Sequence, residues 1–112
     1  MTVQVTRAGT GIPFTPAADH RGVSPVRLHG GDAGPTDHLV VVRSSYAAGA
    51  QVGPGPVGAE TLYLVLQGAV DLVADDVAVT LGEGDSALLP AGTVRSLSAG
   101  AGGATVLVVR AS

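Results

Sequence analysis

The stretch GEGDSALLPAG, residues 82–92, decides the fold of this chain. Gly82 and Gly84 allow a tight turn that leads into a strand, and a Pro-Ala-Gly sequence at residues 90–92 turns the chain out again. Between the two turns there is room only for a short strand, Ser86–Leu89. Short strands bounded by such turns are typical of β-sandwiches and β-barrels.

The rest of the chain shows the same organisation. No helical period persists, and the apolar residues come in short runs bounded by Gly, Pro, Asp and Ser, which indicates strands and turns. Strands are predicted near Val3–Thr6, Val26–His29, Asp37–Tyr46, Thr61–Gln67, Ala69–Ala74, Val77–Leu81, Ser86–Leu89, Val94–Ser98 and Ala104–Arg110. The sequence therefore predicts an all-β domain.

The connections can be interpreted in the same way. Asp75 and Asp76 separate two β-branched stretches and predict a tight hairpin turn. Ala47–Gly58 is rich in Gly and Pro and is predicted to be the longest loop of the barrel region. Residues 7–25 contain three prolines and are predicted to form an irregular arm. The apolar run at residues 104–110 favours a strand covered on both faces.

Composition excludes several classes of function. The 112 residues suit one domain, the net charge is −3, and 46% of residues are hydrophobic while only 13% are charged. Nucleic-acid binding needs a basic surface, which is missing, and no stretch approaches the ~18 apolar residues of a membrane span. Met1–Gly9 lacks the apolar region of a signal peptide, so we expect a cytoplasmic protein. The high apolar fraction predicts exposed apolar surface that a second subunit would cover, so we expect a homodimer.

The turn-bounded strand also resembles part of a known family. Gly84, Pro90 and Gly92 occupy the positions of the second conserved motif of the cupin superfamily, and Gly49 and Gly68 match the two ends of its first motif. The resemblance covers about residues 37–110. It implies a cupin-type antiparallel β-barrel (a jelly roll) at residues 37–112, with an N-terminal arm and first strands at residues 1–36 packing on it.

The departures from the family pattern bear on function. The resemblance places the His-x-His pair of the family's metal site at Gly55 and Val57, its glutamate at Thr61, and its last histidine at Arg95. None of these residues is a ligand of the kind the family uses, so we expect no metal and no cofactor. Glu60 lies one residue before the glutamate position, and a β-bulge would turn it inward as a ligand-binding residue.

Four residues are candidates to act on or bind a small molecule in the barrel, and Thr61 is among them as a ligand-binding residue. Arg95 is expected to project into the cavity, where a guanidinium would bind a carboxylate, enolate or phosphate; the alternative is an arginine that extends out of the barrel mouth. If Thr61 faces inward, so does Tyr63, as a proton donor or as an ordinary core tyrosine. Arg43 is a weaker ligand-binding candidate, because its face on the strand is not fixed.

The three histidines are the only ordinary general bases near neutral pH. His38 is proposed as the catalytic one, although a surface role is the commoner case for it and for His20 and His29. A metal enzyme whose site is rebuilt from His29, His38 and Glu60 is a further hypothesis, but the spacing of these residues in the sequence does not support it.

Two functions are left open by these residues. The first is a metal-independent enzyme that binds a small carbonyl or carboxylate compound and catalyses isomerisation, cyclisation or lyase-type proton transfer with Arg95, Tyr63 and His38. The second is a non-catalytic module that binds a small ligand or assists assembly. Polar groups converging in the cavity would favour the first, and a barrel filled with aliphatic side chains would favour the second.

Overall fold

The computed structural model describes residues 3–112, so Met1 and Thr2 of the predicted arm lie outside the described residues. The strands in chain order are β1 (Ile12–Pro13), β2 (His20–His29), β3 (Leu39–Pro56), β4 (Thr61–Ala74), β5 (Val77–Leu81), β6 (Ser86–Leu89) and β7 (Val94–Ala111). A single 3₁₀ turn, Gly31–Ala33, is the helical part of residues 3–112. No helix in that range has the length and apolarity that a membrane crossing requires.

All strand pairs are antiparallel. The sheet runs in the order β1-β2-β3-β7-β4-β5. Off this path, β6 pairs with the first part of β4, whereas β5 pairs with its last part. The predicted all-β antiparallel barrel is confirmed, although hydrogen bonds do not close the sheet into a complete ring.

Three long strands, β3, β4 and β7, bend and pair along both halves of their length. The stretches Val94–Ser98 and Ala104–Arg110, predicted as separate strands, form one strand, and the same holds for Thr61–Gln67 and Ala69–Ala74. The reason is that glycine lets the chain bend without leaving its partners. Gly103 has φ +68°, and a Cβ there would lie 2.5 Å from the carbonyl oxygen of Tyr46.

The prediction of a loop at Ala47–Gly58 is wrong over most of its length, because β3 continues to Pro56. Ala50 and Val52 are buried in the core, and Gln51 pairs with Ser98. A register shift between Tyr46 and Gln51 absorbs the extra residues as an irregularity in the strand. Gly and Pro therefore mark a bend here and not an exit from the sheet.

The N-terminal prediction needs two corrections. Val3–Thr6 is not a strand: Val3 and Val5 are exposed, so burial against the core does not fix an extended conformation. The arm at residues 7–25 is less irregular than predicted, because it contains β1 and the first part of β2. The strand β2 begins six residues earlier than Val26, at His20, and pairs with β3 along its length.

The core is aliphatic and lies between the two halves of the long strands. Val65 and Val106 are completely buried, and Val70 and Leu72 are nearly so. Burial of such side chains stabilises the fold by about 1.5–3 kcal/mol each. The predicted turn at Asp75 and Asp76 is confirmed: both residues have positive φ (45° and 69°), as a tight hairpin turn requires.

Candidate functional site

A partly enclosed cavity of about 300 Å³ lies between the N-terminal segment and the inner face of the long strands. Alternation along β3, β4 and β7 directs every second side chain into it. The lining residues are Phe14, Pro16, Ala17, His20, Pro25, Val42, Ser44, Tyr46, Pro56, Val57, Gly58, Ala59, Thr61, Tyr63, Arg95, Val108 and Arg110. The wall is thus mostly apolar, with a few polar groups that can orient a ligand, as is usual for small-molecule sites.

Arg95 lies at the centre of the polar groups. Its Nε donates to the Tyr63 hydroxyl at 3.1 Å, and its Nη1 donates to the carbonyl oxygen of Gly55 at 3.3 Å and to the Asp19 carboxylate at 3.5 Å. Its side chain is only 10% exposed. The Nη2 group has no hydrogen-bond partner among residues 3–112 and remains available for a ligand oxygen.

Asp19 joins Arg95 to a histidine. The Asp19 Oδ1 lies 2.7 Å from Nδ1 of His20, and its Oδ2 faces Arg95. The hydrogen bond from His20 lowers the pKa of Asp19, and the nearby charges of His20 and Arg95 act in the same direction, whereas partial burial opposes them. With the Nδ1 proton directed at Asp19, a neutral His20 keeps Nε2 as a proton acceptor. Because His20 lines the cavity, it is a candidate general base there in this tautomer.

Phe14, which lies before this pair in the chain and lines the cavity, is held against β2. The guanidinium of Arg27 stacks on the ring of Phe14 at 4.2 Å and is held by Asp32 at 2.7 Å. Such a stack contributes about 0.5–1 kcal/mol at an exposed site. Phe14 therefore forms a fixed part of the cavity wall.

Two further hydroxyl-bearing residues lie deeper. Ser44 and Tyr46 are both buried and follow Val42 on the inward face of β3. Burial raises the pKa of Tyr46, and the neighbouring Tyr63 raises it further, whereas Arg95 counteracts this. Tyr46 therefore remains a neutral hydroxyl at physiological pH and offers a second donor to a ligand.

The positions that correspond to the cupin metal ligands do converge. Val57, Thr61 and Arg95 line the cavity, and Gly55 contributes its carbonyl oxygen to Arg95. The Thr61 hydroxyl donates to the carbonyl oxygen of Ala59 at 2.8 Å, which occupies its proton. The geometry of the family's site is therefore present, but its side chains do not form a set of metal ligands.

Three of the predicted site residues lie outside this cavity. Glu60 is exposed and Thr61 faces inward instead, because no bulge shifts the strand there. Arg43 points away from the cavity, since its neighbours Val42 and Ser44 line it. His38 is exposed just before β3, on a surface groove that it shares with His29.

The rebuilt metal site is not assembled either. Glu60 is absent from the groove of His29 and His38. Within residues 3–112, no three His, Cys, Asp or Glu side chains are close enough together to hold a metal ion. The residues present do not fit the metal that the cupin fold commonly holds, and no reaction step here uses one.

The sequence did not indicate Asp19, and it indicated His20 only as one of three possible general bases, with a surface role as the commoner case. Asp19 and His20 lie in the stretch interpreted as an irregular arm, and the Asp19–Arg95 contact joins residues 76 positions apart. The one local signal was the adjacent Asp-His pair itself. Neighbouring residues face opposite ways on a strand, but here Asp19 precedes β2 in a turn that the His20 amide closes on Ala17.

Comparisons with known proteins agree with this fold. No family model matches the chain. Over 95 residues it is 36% identical to the β-D-galactosidase Rv1717 of Mycobacterium tuberculosis, a stretch that makes up 85% of this chain and 81% of the relative.

Solved structures are similar along most of the chain. The polyketide cyclase RemF from Streptomyces resistomycificus has a TM-score of 0.83 at 20% identity, over 99% of this chain and 80% of that one. A cupin superfamily protein from Desulfitobacterium hafniense has a TM-score of 0.70 at 24% identity, over 80% and 76% of the two chains. This chain therefore has the cupin fold and belongs to one sequence family with the mycobacterial relative.

Proposed function

We propose that this cupin binds a small carbonyl compound in its cavity and catalyses a non-redox proton transfer on it, such as an isomerisation. The observation that carries the proposal is the chain of contacts from Tyr63 through Arg95 and Asp19 to His20. It provides an oxyanion-stabilising group and a base in the same cavity, which is the pair that abstraction of a proton next to a carbonyl requires.

The electrons and protons balance without a co-reactant. Nε2 of His20 takes a proton from the carbon beside the carbonyl, and the C–H electron pair moves into the carbonyl oxygen as an enolate. Nη2 of Arg95 and the hydroxyl proton of Tyr63 stabilise that oxygen. His20 then returns the proton to a different carbon, or to the other face of the same carbon, and the carbonyl forms again.

The apolar wall strengthens these interactions. Val42, Val57 and Val108 line the cavity around the polar groups and keep the local dielectric constant low. A fixed guanidinium is therefore more effective there than in water, because no solvent has to reorganise as charge develops on the oxygen.

Hydrogen–deuterium exchange provides the test. The protein is incubated in D₂O with 4-oxopentanoate, and loss of the proton signals beside the carbonyl is followed by NMR. We expect catalysed exchange that falls by roughly a hundredfold or more in His20→Gln and in Arg95→Gln. His38→Gln, which changes an exposed histidine outside the cavity, is the matched control and should retain full activity.

Two results would count against the proposal. If exchange is no faster than in buffer while the compound still binds, the cavity belongs to a non-catalytic binding module. If His20→Gln and His38→Gln exchange at the wild-type rate, the base is not His20.

A second candidate, glycoside hydrolysis, is favoured by one observation: the 36% identical relative is a β-D-galactosidase. Hydrolysis of this kind commonly uses two carboxyl groups on either side of the glycosidic bond. The residues lining this cavity include no Asp or Glu, and Asp19 beside it is engaged by His20 and Arg95. Release of p-nitrophenol from its β-D-galactoside, abolished in Asp19→Asn, would support this candidate over proton transfer.

A further inference from the structure

The cavity has a second arginine that the proposed reaction does not use. Arg110 follows Val106 and Val108 on the inward face of β7 and lines the cavity at its exposed end. Among residues 3–112 no ion pair involves it, whereas Arg95 is bound to Asp19. Arg110 is thus the cation of the cavity that is free to take an anion.

From this we infer that Arg110 is the carboxylate-binding residue of the site, and that its ligands are oxo acids whose carboxylate lies several atoms from the carbonyl. The inference rests on the cavity proposed above as the reaction site. Each arginine then binds a different group of the ligand: Arg95, with Tyr63, binds the carbonyl oxygen, and Arg110 binds the carboxylate.

The separation follows from the strand register. Tyr63 on β4 pairs with Val108 on β7, and Arg110 lies two residues after Val108 on β7. Two residues of a β-strand span about 7 Å. This separation favours a compound with a spacer of two or three carbons between carbonyl and carboxylate, as in 4-oxopentanoate.

Charge supports the same assignment. The lining contains two arginines and no carboxylate side chain, and Arg95 is paired with Asp19, so Arg110 is the lining arginine whose charge no ion pair offsets among residues 3–112. A guanidinium also matches a carboxylate in shape, because it can donate two parallel hydrogen bonds. An uncharged carbonyl compound would leave Arg110 without a partner in the complex.

The experiment compares an acid with its ester. Dissociation constants of 4-oxopentanoate and its methyl ester are measured by calorimetry for the wild type, Arg110→Gln and Arg21→Gln. Arg21 is the matched control, because it is an exposed arginine on β2 outside the cavity and its substitution changes the net charge equally.

We expect the acid to bind about tenfold more tightly than the ester in the wild type and in Arg21→Gln. In Arg110→Gln the two compounds should bind equally. The preference should also weaken as salt is added, because Arg110 is exposed.

The inference is overturned if the wild type does not prefer the acid, if neither compound binds, or if the preference survives in Arg110→Gln. Its failure is distinguishable from that of the proposed function. Proton exchange without an acid preference leaves the reaction standing and removes Arg110 from it. An acid preference without exchange leaves the carboxylate site in a protein that only binds.

Discussion

The Nε of Arg95 donates a hydrogen bond to the hydroxyl of Tyr63, a residue 32 positions earlier in the chain and on a different strand. Since the hydroxyl oxygen accepts from the guanidinium, its own proton is free to be directed at a ligand. The same bond fixes the plane of the guanidinium, so that Nη2 remains available. One contact thus orients both donors of the proposed oxyanion site.

Loss of that contact should be measurable as a loss of stability. Tyr63→Phe leaves the Nε of a largely buried guanidinium without an acceptor, which costs about 1–3 kcal/mol. Tyr46→Phe is the matched control: Tyr46 is buried to the same 5% exposure, but its hydroxyl has no hydrogen bond among residues 3–112. Urea unfolding of both variants provides the comparison. Equal losses would show that the Arg95 contact does not contribute.

Tyr46 should ionise at a higher pH than an exposed tyrosine. The chain has two tyrosines and no tryptophan, so in Tyr63→Phe the tyrosinate absorbance reports Tyr46 alone. Burial raises the pKa of Tyr46 above its ordinary value of 10.0, so we expect ionisation only well above pH 10. Because the folded state binds this proton more tightly than the unfolded state, the corresponding stability is complete below pH 10 and declines above it. A transition near pH 10 would contradict the buried environment of Tyr46.

The fold was largely predictable because its signals are local. The turns around Ser86–Leu89 lie within a few residues, and the observed strand has those bounds. The bends of β3 and β7 were not predictable in this way. Gly49 and Gly103 can leave a sheet or bend within it, and only the pairing partners decide which.

The site was predictable only where it coincides with the cupin motif positions. Thr61, Tyr63 and Arg95 are on the strands that the motifs define, and all three line the cavity. Asp19 and His20 lie in a segment that is distant from these strands in the sequence, so the spacing of the motifs does not indicate them. The homodimer also stays a prediction, which light scattering of the purified protein would test.

The Asp19 carboxylate should make stability depend on acid pH. Its pKa is lowered in the folded state, mainly by the hydrogen bond from His20, so the unfolded state binds the proton more readily. The stabilisation is therefore present above the ordinary value of 3.8 and is lost as the pH falls below it.

Melting temperatures of the wild type and Asp19→Asn, measured from neutral to strongly acidic pH, provide the test. The difference between the two proteins should be constant above about pH 4 and shrink below it. Asp37→Asn removes an exposed carboxylate that forms no ion pair among the described residues, so it corrects for net charge. A difference that does not change with pH would mean that Asp19 is not engaged in the folded protein.

The bend of β7 makes the sharpest prediction about the fold. Gly103→Ala places a Cβ 2.5 Å from the carbonyl oxygen of Tyr46 and a side chain at φ +68°. The left-handed conformation alone costs about 1–2 kcal/mol, and the close approach forces β3 and β7 apart. Because Tyr46 lines the cavity, the variant should also bind 4-oxopentanoate more weakly. Gly102→Ala is the neighbouring control, since a Cβ there has nothing within 4 Å. If both variants unfold at the same urea concentration as the wild type, the close contact between the two strands at this bend is not present in solution.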